Sequence, residues 1–245
     1  VRLIARLDVK NEHVIKGIHL EGLRKVGDPI EMAKNYYAQG IDEIVFIDAV
    51  ASLYNRNNLL SVIAKASEEV FVPITVGGGL RSLADVEMAL SAGADKVAVN
   101  TAAILNPKFI TEIAKRYGSQ CVVASIQAKR IGNDWEAYME AGREPTGKNV
   151  VAWSKELEDL GAGEILLTSI DQDGTKKGFD LPLLGAVNTI VNIPVMVSGG
   201  CGNPDHVQEL KEIQPSGVCL ASVLHYKINT IDEFKQRLTF INGTK

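Results

Sequence analysis

Two stretches of the chain could bring bare backbone N–H groups against a phosphate: Val76-Gly77-Gly78-Gly79 and Val197-Ser198-Gly199-Gly200. Each is followed about two dozen residues on by an apolar run, the first ending in Asn100-Thr101 and the second in Ala221-Ser222. The spacing repeats, since 198 − 77 = 121 and 221 − 100 = 121. Glycine suits such a place because no side chain keeps a ligand off the backbone. Tight turns would explain one such pair. Two copies in the same relation to a following polar pair favour phosphate binding at Gly78, Gly79, Asn100, Thr101, Gly199, Gly200, Ala221 and Ser222, by an elongated ligand with phosphate at both ends.

The elements that must hold these groups are eight short β-like runs alternating with helical stretches, at residues 3–8, 43–48, 74–77, 96–100, 121–126, 164–169, 195–198 and 218–221. Helices are expected over residues 29–39, 84–92, 107–117, 150–160, 204–213 and 231–240, with Asp28-Pro29 and Asn106-Pro107 as cap and first-turn proline. Strand–helix alternation means a parallel sheet, and the half-chain repeat favours a closed (βα)8 TIM barrel over an open doubly wound sheet. Strand 1 ends in Leu7-Asp8-Val9-Lys10, without the GxGxxG of a dinucleotide fold. One domain over residues 1–245 is expected, with half-barrels at about 1–120 and 121–245.

In a barrel, ligand chemistry belongs at the C-terminal strand ends. The polar residues there are Asp8, Asp48, Asn100, Thr101, Gln127, Ser169, Asp171, Asp173, Ser198 and Ser222. Residues 9–28 and 127–149 are long enough for lids or binding loops, and the first carries Lys10, Lys16 and Arg24. At the opposite strand ends stand Arg2, Glu43, Lys96 and Glu164, two cations and two anions that could close a charged ring as a plug or a gate. From the residues alone, a plug is favoured.

A net charge of −4 gives no basic footprint for nucleic acid or an anionic membrane, and no apolar run approaches a bilayer span. A cytoplasmic protein is expected. Cys121, Cys201 and Cys219 read as reduced thiols, and His13, His19, His206 and His225 are scattered with no metal spacing, so neither metal nor cofactor is expected.

Several motifs resemble the cyclase subunit of imidazole glycerol phosphate synthase. They are Leu7-Asp8-Val9-Lys10, Val14-Ile15-Lys16-Gly17, Val76-Gly77-Gly78-Gly79, Asn100-Thr101-Ala102-Ala103, residues 161–175 and Ser198-Gly199-Gly200, and they cover essentially the whole chain. The resemblance implies a two-phosphate barrel that takes ammonia from a glutaminase subunit on its N-terminal face, in a heterodimer. The ammonia would pass through the barrel to a phosphorylated ribulosyl aminoimidazole carboxamide nucleotide, which is cleaved and cyclised. It implies that Asp8 is a catalytic acid/base and that Lys16 sits on a mobile loop over substrate. Gly79, Asn100 and Thr101 would bind one phosphate and Gly200, Ala221 and Ser222 the other, while Thr168 and Asp173 line the site. It turns the ring Arg2, Glu43, Lys96 and Glu164 from plug into ammonia gate, and places Asp95 and Gln120 at the glutaminase interface.

Three residues depart from that pattern. The family uses a second carboxylate at the end of the fifth barrel strand, and the internal repeat, 127 − 8 = 119, puts Gln127 there. A carboxamide does not titrate near neutral pH. Arg6 replaces a small cysteine, and strand alternation points it to the same side as Asp8, where a cation holds the acid ionised. Ala141 stands where a serine hydroxyl is expected. The Ala5-Arg6-Leu7-Asp8 start and residues 17–24 resemble second copies associated with glycosyl amidation in surface-polysaccharide synthesis, where barrel and glutaminase supply ammonia to a sugar amidotransferase. The sequence reading is therefore an ammonia-supplying subunit of a glutamine amidotransferase assembly, with an authentic histidine-pathway cyclase as its alternative. A non-catalytic scaffold and a two-phosphate isomerase of the same fold are the further options. Gln127 counts against the isomerase, which needs paired aspartates.

Overall fold

The computed structural model describes residues 1–50 and 59–242. The first half runs β1 (Arg2–Lys10), β2 (His13–Ile18), β3 (Glu21–Gly27), α1 (Pro29–Ala38), β4 (Glu43–Asp48), α2 (Leu59–Glu69), β5 (Ile74–Gly77), α3 (Leu83–Ser91), β6 (Lys96–Val99), α4 (Thr101–Leu105) and α5 (Lys108–Tyr117). The second runs β7 (Val122–Ile131), β8 (Asp134–Met139), β9 (Glu144–Asn149), α6 (Val150–Asp159), β10 (Glu164–Ser169), α7 (Leu181–Ile190), β11 (Val195–Ser198), α8 (Pro204–Gln208), β12 (Gly217–Leu220), α9 (Ser222–His225) and α10 (Ile231–Asn242).

Strands β1, β4, β5, β6, β7, β10, β11 and β12 pair in parallel in that order, and β12 returns to β1. The sheet is therefore a closed (βα)8 barrel with helices between successive strands. Its main core lies between strands and helices, where Leu3, Ile44, Phe46, Trp153 and Phe234 are almost fully buried. A second, smaller apolar cluster fills the lumen: Ile4, Val45, Ala98, Val123, Leu166, Met196 and Cys219. Strand alternation explains the split, because residues i and i+2 share a face, so Leu3 packs outward and Ile4 inward.

The two long segments are not plain loops. Strand β1 runs past Asp8 to Lys10 and folds back as the antiparallel β2 and β3, and β7 does the same through β8 and β9. Helix α1 starts as expected, with the Asp28 carboxylate accepting from Ile30 N at 2.9 Å and Glu31 N at 3.0 Å. The cap expected at Asn106 does not form. Asn106 instead closes α4, and Pro107 precedes α5 without a side-chain cap. The helix expected over residues 204–213 is shortened to α8 followed by a 3-10 turn at Glu209–Lys211.

Candidate functional site

The loop after β5 holds Gly78 and Gly79 at φ +92° and +73°, and the loop after β11 holds Gly199 and Gly200 at +97° and +103°. A Cβ at Gly78 would lie 2.2 Å from the Asp48 carbonyl oxygen, and one at Gly200 would lie 1.8 Å from the Gly178 carbonyl oxygen. Only glycine fits either place. The next strand of each half leads into a short helix through a residue of the same unusual backbone, Asn100 (φ −122°, ψ −84°) before α4 and Ala221 (φ −132°, ψ −85°) before α9. Neither helix has a side-chain cap, so backbone N–H groups of each first turn are left for another acceptor.

A cavity of about 490 Å³ opens at the C-terminal strand ends. Of the residues singled out from sequence, Arg6, Asp8, Lys16, Asp48 and Gln127 line it together with Asp173. Gly78, Gly79, Asn100 and Thr101 form one wall, so the first cradle faces the cavity. Gly199, Gly200, Ala221 and Ser222 lie outside its lining. The β2–β3 hairpin packs onto the loop after β10 on that side: His19 N donates to Asp173 O at 2.8 Å, and a Cβ at Gly174 would meet Gly17 O at 2.3 Å. Lys10 at the end of β1 and Arg24 on β3 are exposed, whereas Lys16 on β2 is buried and its Nζ lies 2.8 Å from both carboxylate oxygens of Asp173.

Arg6 crosses under Asp8. Its Nε donates to Asp8 Oδ1 at 3.0 Å, and one terminal nitrogen donates to Thr168 Oγ1 at 2.8 Å and Ser198 Oγ at 3.1 Å. Burial works to raise the Asp8 pKa, but the charges of Arg6 and Lys16 and the Arg6 hydrogen bond outweigh it and hold the carboxyl below its ordinary value. Gln127 is also buried, and its Oε1 has no partner. Asn100 Nδ2 donates to Tyr138 O at 3.1 Å, and Thr101 Oγ1 accepts from Glu140 N at 3.1 Å. Behind β1, His225 pairs with the Tyr36 hydroxyl at 2.8 Å and is pushed down to about 4 by burial.

At the N-terminal end Arg2, Glu43, Lys96 and Glu164 close a ring. Arg2 meets Glu43 at 2.6 Å and also binds Glu164, while Lys96 meets Glu43 at 2.8 Å and Glu164 at 2.9 Å. Each carboxylate thus holds two cations, and Glu43 also accepts from Thr75 at 2.9 Å. Asp95 and Gln120 are exposed at the same end, where Asp95 accepts from Ile74 N at 2.8 Å.

The model of the family described as "Histidine biosynthesis protein" matches residues 2–230. The chain belongs to the histidine biosynthesis protein family. An "Imidazole glycerol phosphate synthase subunit HisF" from Legionella pneumophila is 61% identical over 203 residues, 82% of this chain and 96% of that relative. A protein of the same name from Pyrococcus furiosus is 49% identical over 237 residues, 97% of this chain and 94% of that relative. This likeness places the chain with the cyclase-subunit branch of the histidine biosynthesis family. It favours the sequence reading's alternative over the surface-polysaccharide one.

Sequence reasoning missed Arg81 and Arg143 of this histidine biosynthesis barrel, which add two cations to the cavity lining. The signal available was the position of Arg81, directly after Gly79-Leu80. Nothing in the local sequence marked Arg143. Among the described residues no group of three His, Cys, Asp or Glu is placed to hold a metal ion, and no helix is long and apolar enough to cross a membrane.

Proposed function

We propose that the chain is the cyclase subunit of an imidazole glycerol phosphate synthase. In this reading a glutaminase subunit docks at the N-terminal face around Asp95 and Gln120, and ammonia passes the ring of Arg2, Glu43, Lys96 and Glu164. It then meets a ribulosyl aminoimidazole carboxamide nucleotide whose phosphates occupy the two glycine cradles. The observation that carries the reading is the 49% identity to a subunit of that name over 97% of the chain. Asp8 works as the ionised partner, accepting a proton from the attacking nitrogen or the sugar carbon as the imidazole closes. The second proton carrier cannot be Gln127. Asp173 fits that role only after Lys16 releases it, so movement of the β2–β3 hairpin would both expose the second cradle and free the acid. A water held by Asp48 is the other carrier.

A second reading is favoured by one local observation, the Arg6–Asp8 pair at 3.0 Å beside a non-titrating Gln127. Here the barrel keeps ammonia handling and supplies a sugar amidotransferase, with the cyclase chemistry impaired. Losing one acid/base partner costs about 10²–10⁴ in rate. Turnover of the ribulosyl substrate by the purified protein with ammonium decides between them. A rate normal for the family, with Gln127→Asp changing little, supports the cyclase. A rate lower by about 10²-fold or more, restored by Arg6→Cys with Gln127→Asp but not by Gln127→Asp alone, overturns it in favour of the second reading.

A further inference from the structure

Strand β1 carries four levels of the lumen in succession. Arg2, Ile4, Arg6 and Asp8 point inward at alternate positions, about 7 Å from one level to the next. Arg2 belongs to the charged ring, Ile4 to the apolar cluster, and Asp8 to the cavity. Arg6 stands between the last two.

Its guanidinium reaches Thr168 on β10 and Ser198 on β11. In the closed order β10-β11-β12-β1, Thr168 is three strands from β1, where four would be diametrically opposite in an eight-stranded barrel. The side chain therefore spans most of the lumen instead of lying along its wall. Ala98 and Arg6 both line the cavity and Ala98 also packs in the apolar cluster, so the two compartments abut. Of the three side chains that hold Arg6 in place, Asp8 also lines the cavity.

We propose that Arg6 is an inner gate for a small neutral molecule moving along the barrel axis, closed while it bridges Asp8, Thr168 and Ser198. A ligand group that engages Asp8 from the cavity competes for the carboxylate that holds the gate shut. Opening is thereby tied to occupancy of the cavity. The identity of the molecule as ammonia rests on the proposed function; the closure itself rests on Arg6 and its partners.

Cys219 gives a test that needs no turnover. It lies in the apolar cluster, is 3% exposed, and feels the charges of both Arg6 and Arg2. With Cys121→Ser and Cys201→Ser in place, Cys219 is the only thiol, and its reaction with methyl methanethiosulfonate reports access to the lumen. Arg6→Ala should speed that reaction about tenfold or more, the factor given by removing a closed state worth one or two hydrogen bonds. Burial pushes the Cys219 thiol up to about 12 and Arg6 acts to lower it. Losing Arg6 alone would therefore slow the reaction through its chemistry, and acceleration must come from access.

Where Arg6→Ala leaves Asp8 too poorly paired to fold, Arg6→Ala with Asp8→Asn removes the pair together and carries the same expectation. An unchanged rate in a folded variant overturns the gate. So does equal acceleration at Cys201, which is buried outside the lumen cluster and is read in a matching variant that keeps it as the sole thiol. In the glutaminase complex, glutamine-driven product formation should change more than ammonium-driven formation in Arg6→Ala. Equal changes in the two alongside the expected Cys219 result would sustain the gate and overturn ammonia as its cargo.

Discussion

At their cradles the two half-barrels have nearly the same backbone: Asn100 and Ala221 differ by 10° in φ and 1° in ψ, and both glycine pairs lie in the left-handed region. Each half also opens with a strand that continues into an antiparallel hairpin, β1 through β3 and β7 through β9. The side chains on that shared frame have diverged. Strand β1 carries an ionised Asp8 tied to Arg6, while β7 carries Gln127 with an unpaired oxygen. The first hairpin sends Lys16 across to Asp173, whereas the second buries Trp135, which donates to Asp180 at 3.1 Å. Even the charged ring is half symmetric. Glu43 and Glu164 are repeat equivalents, 164 − 43 = 121, but both cations come from the first half. Backbone geometry is thus what the halves share, and titratable chemistry is what separates them.

The largest effects should fall where the halves are alike. Gly78→Ala and Gly200→Ala each drive a Cβ into a backbone oxygen at a positive φ, which neither neighbour can relieve by turning a side chain. Both should lose about 5 kcal/mol or more, at the extreme of single substitutions, in urea or thermal unfolding. A half that tolerated its alanine would not share the frame. Next come Glu43→Gln and Glu164→Gln, each leaving the half-buried Arg2 and Lys96 with a single anion between them. Solvent at the half-exposed Arg2 softens the loss of a countercharge, so both should cost about 3 kcal/mol, and matched losses would confirm that the two glutamates are equivalent despite their unequal neighbours.

Smaller effects should appear where the halves differ. Asp8→Asn keeps an acceptor for Arg6 but removes its countercharge, at a cost of about 2–3 kcal/mol, while Gln127→Leu removes an acceptor already unpaired and should cost about 1 kcal/mol or less. The Asp8 pKa is lowered in the folded state, so its contribution is complete above its ordinary 3.8 and is lost as pH falls through the folded value. The gap between wild type and Asp8→Asn should therefore close only in strong acid. Equal losses at Asp8 and Gln127 would remove the asymmetry.

Much of this was legible in the sequence because strand alternation and a fixed repeat act as rulers. Residues 6 and 8 could be assigned to one face before any contact was known, and the 119-residue offset put Gln127 in register with Asp8. The hairpins were not legible. Gly17 and Gly22 interrupt the apolar alternation of residues 9–28, so the segment reads as a loop, although ladder hydrogen bonds to β1 order it. Partnerships across the barrel were equally silent, since Lys16 meets Asp173 at a separation of 157 residues and no local pattern records it. The Asn106 cap failed for a tertiary reason: the chain there closes α4, which the sequence did not announce as a separate helix.

His225 offers the finest cut between the halves. Its repeat equivalent is Ile104, since 225 − 121 = 104, so the second half buries a titratable ring where the first has an aliphatic chain. Burial pushes His225 from 6.5 to about 4, which keeps it neutral in the folded protein, while the unfolded chain takes up the proton near 6.5. The unfolded state binds more protons between these values, so stability is level above about pH 6.5 and falls as pH drops toward 4. By pH 5.5 the loss from this one ring should be about 1 kcal/mol. Replacing it with the first half's residue, His225→Ile, together with Tyr36→Phe so that no hydroxyl is left unpaired, should flatten that part of the stability curve whatever the offset in absolute stability. Urea midpoints measured from pH 7.5 to 5 give the slope directly. If the slope survives in the double variant, the acid sensitivity belongs to another group, and the halves differ at this position in packing alone.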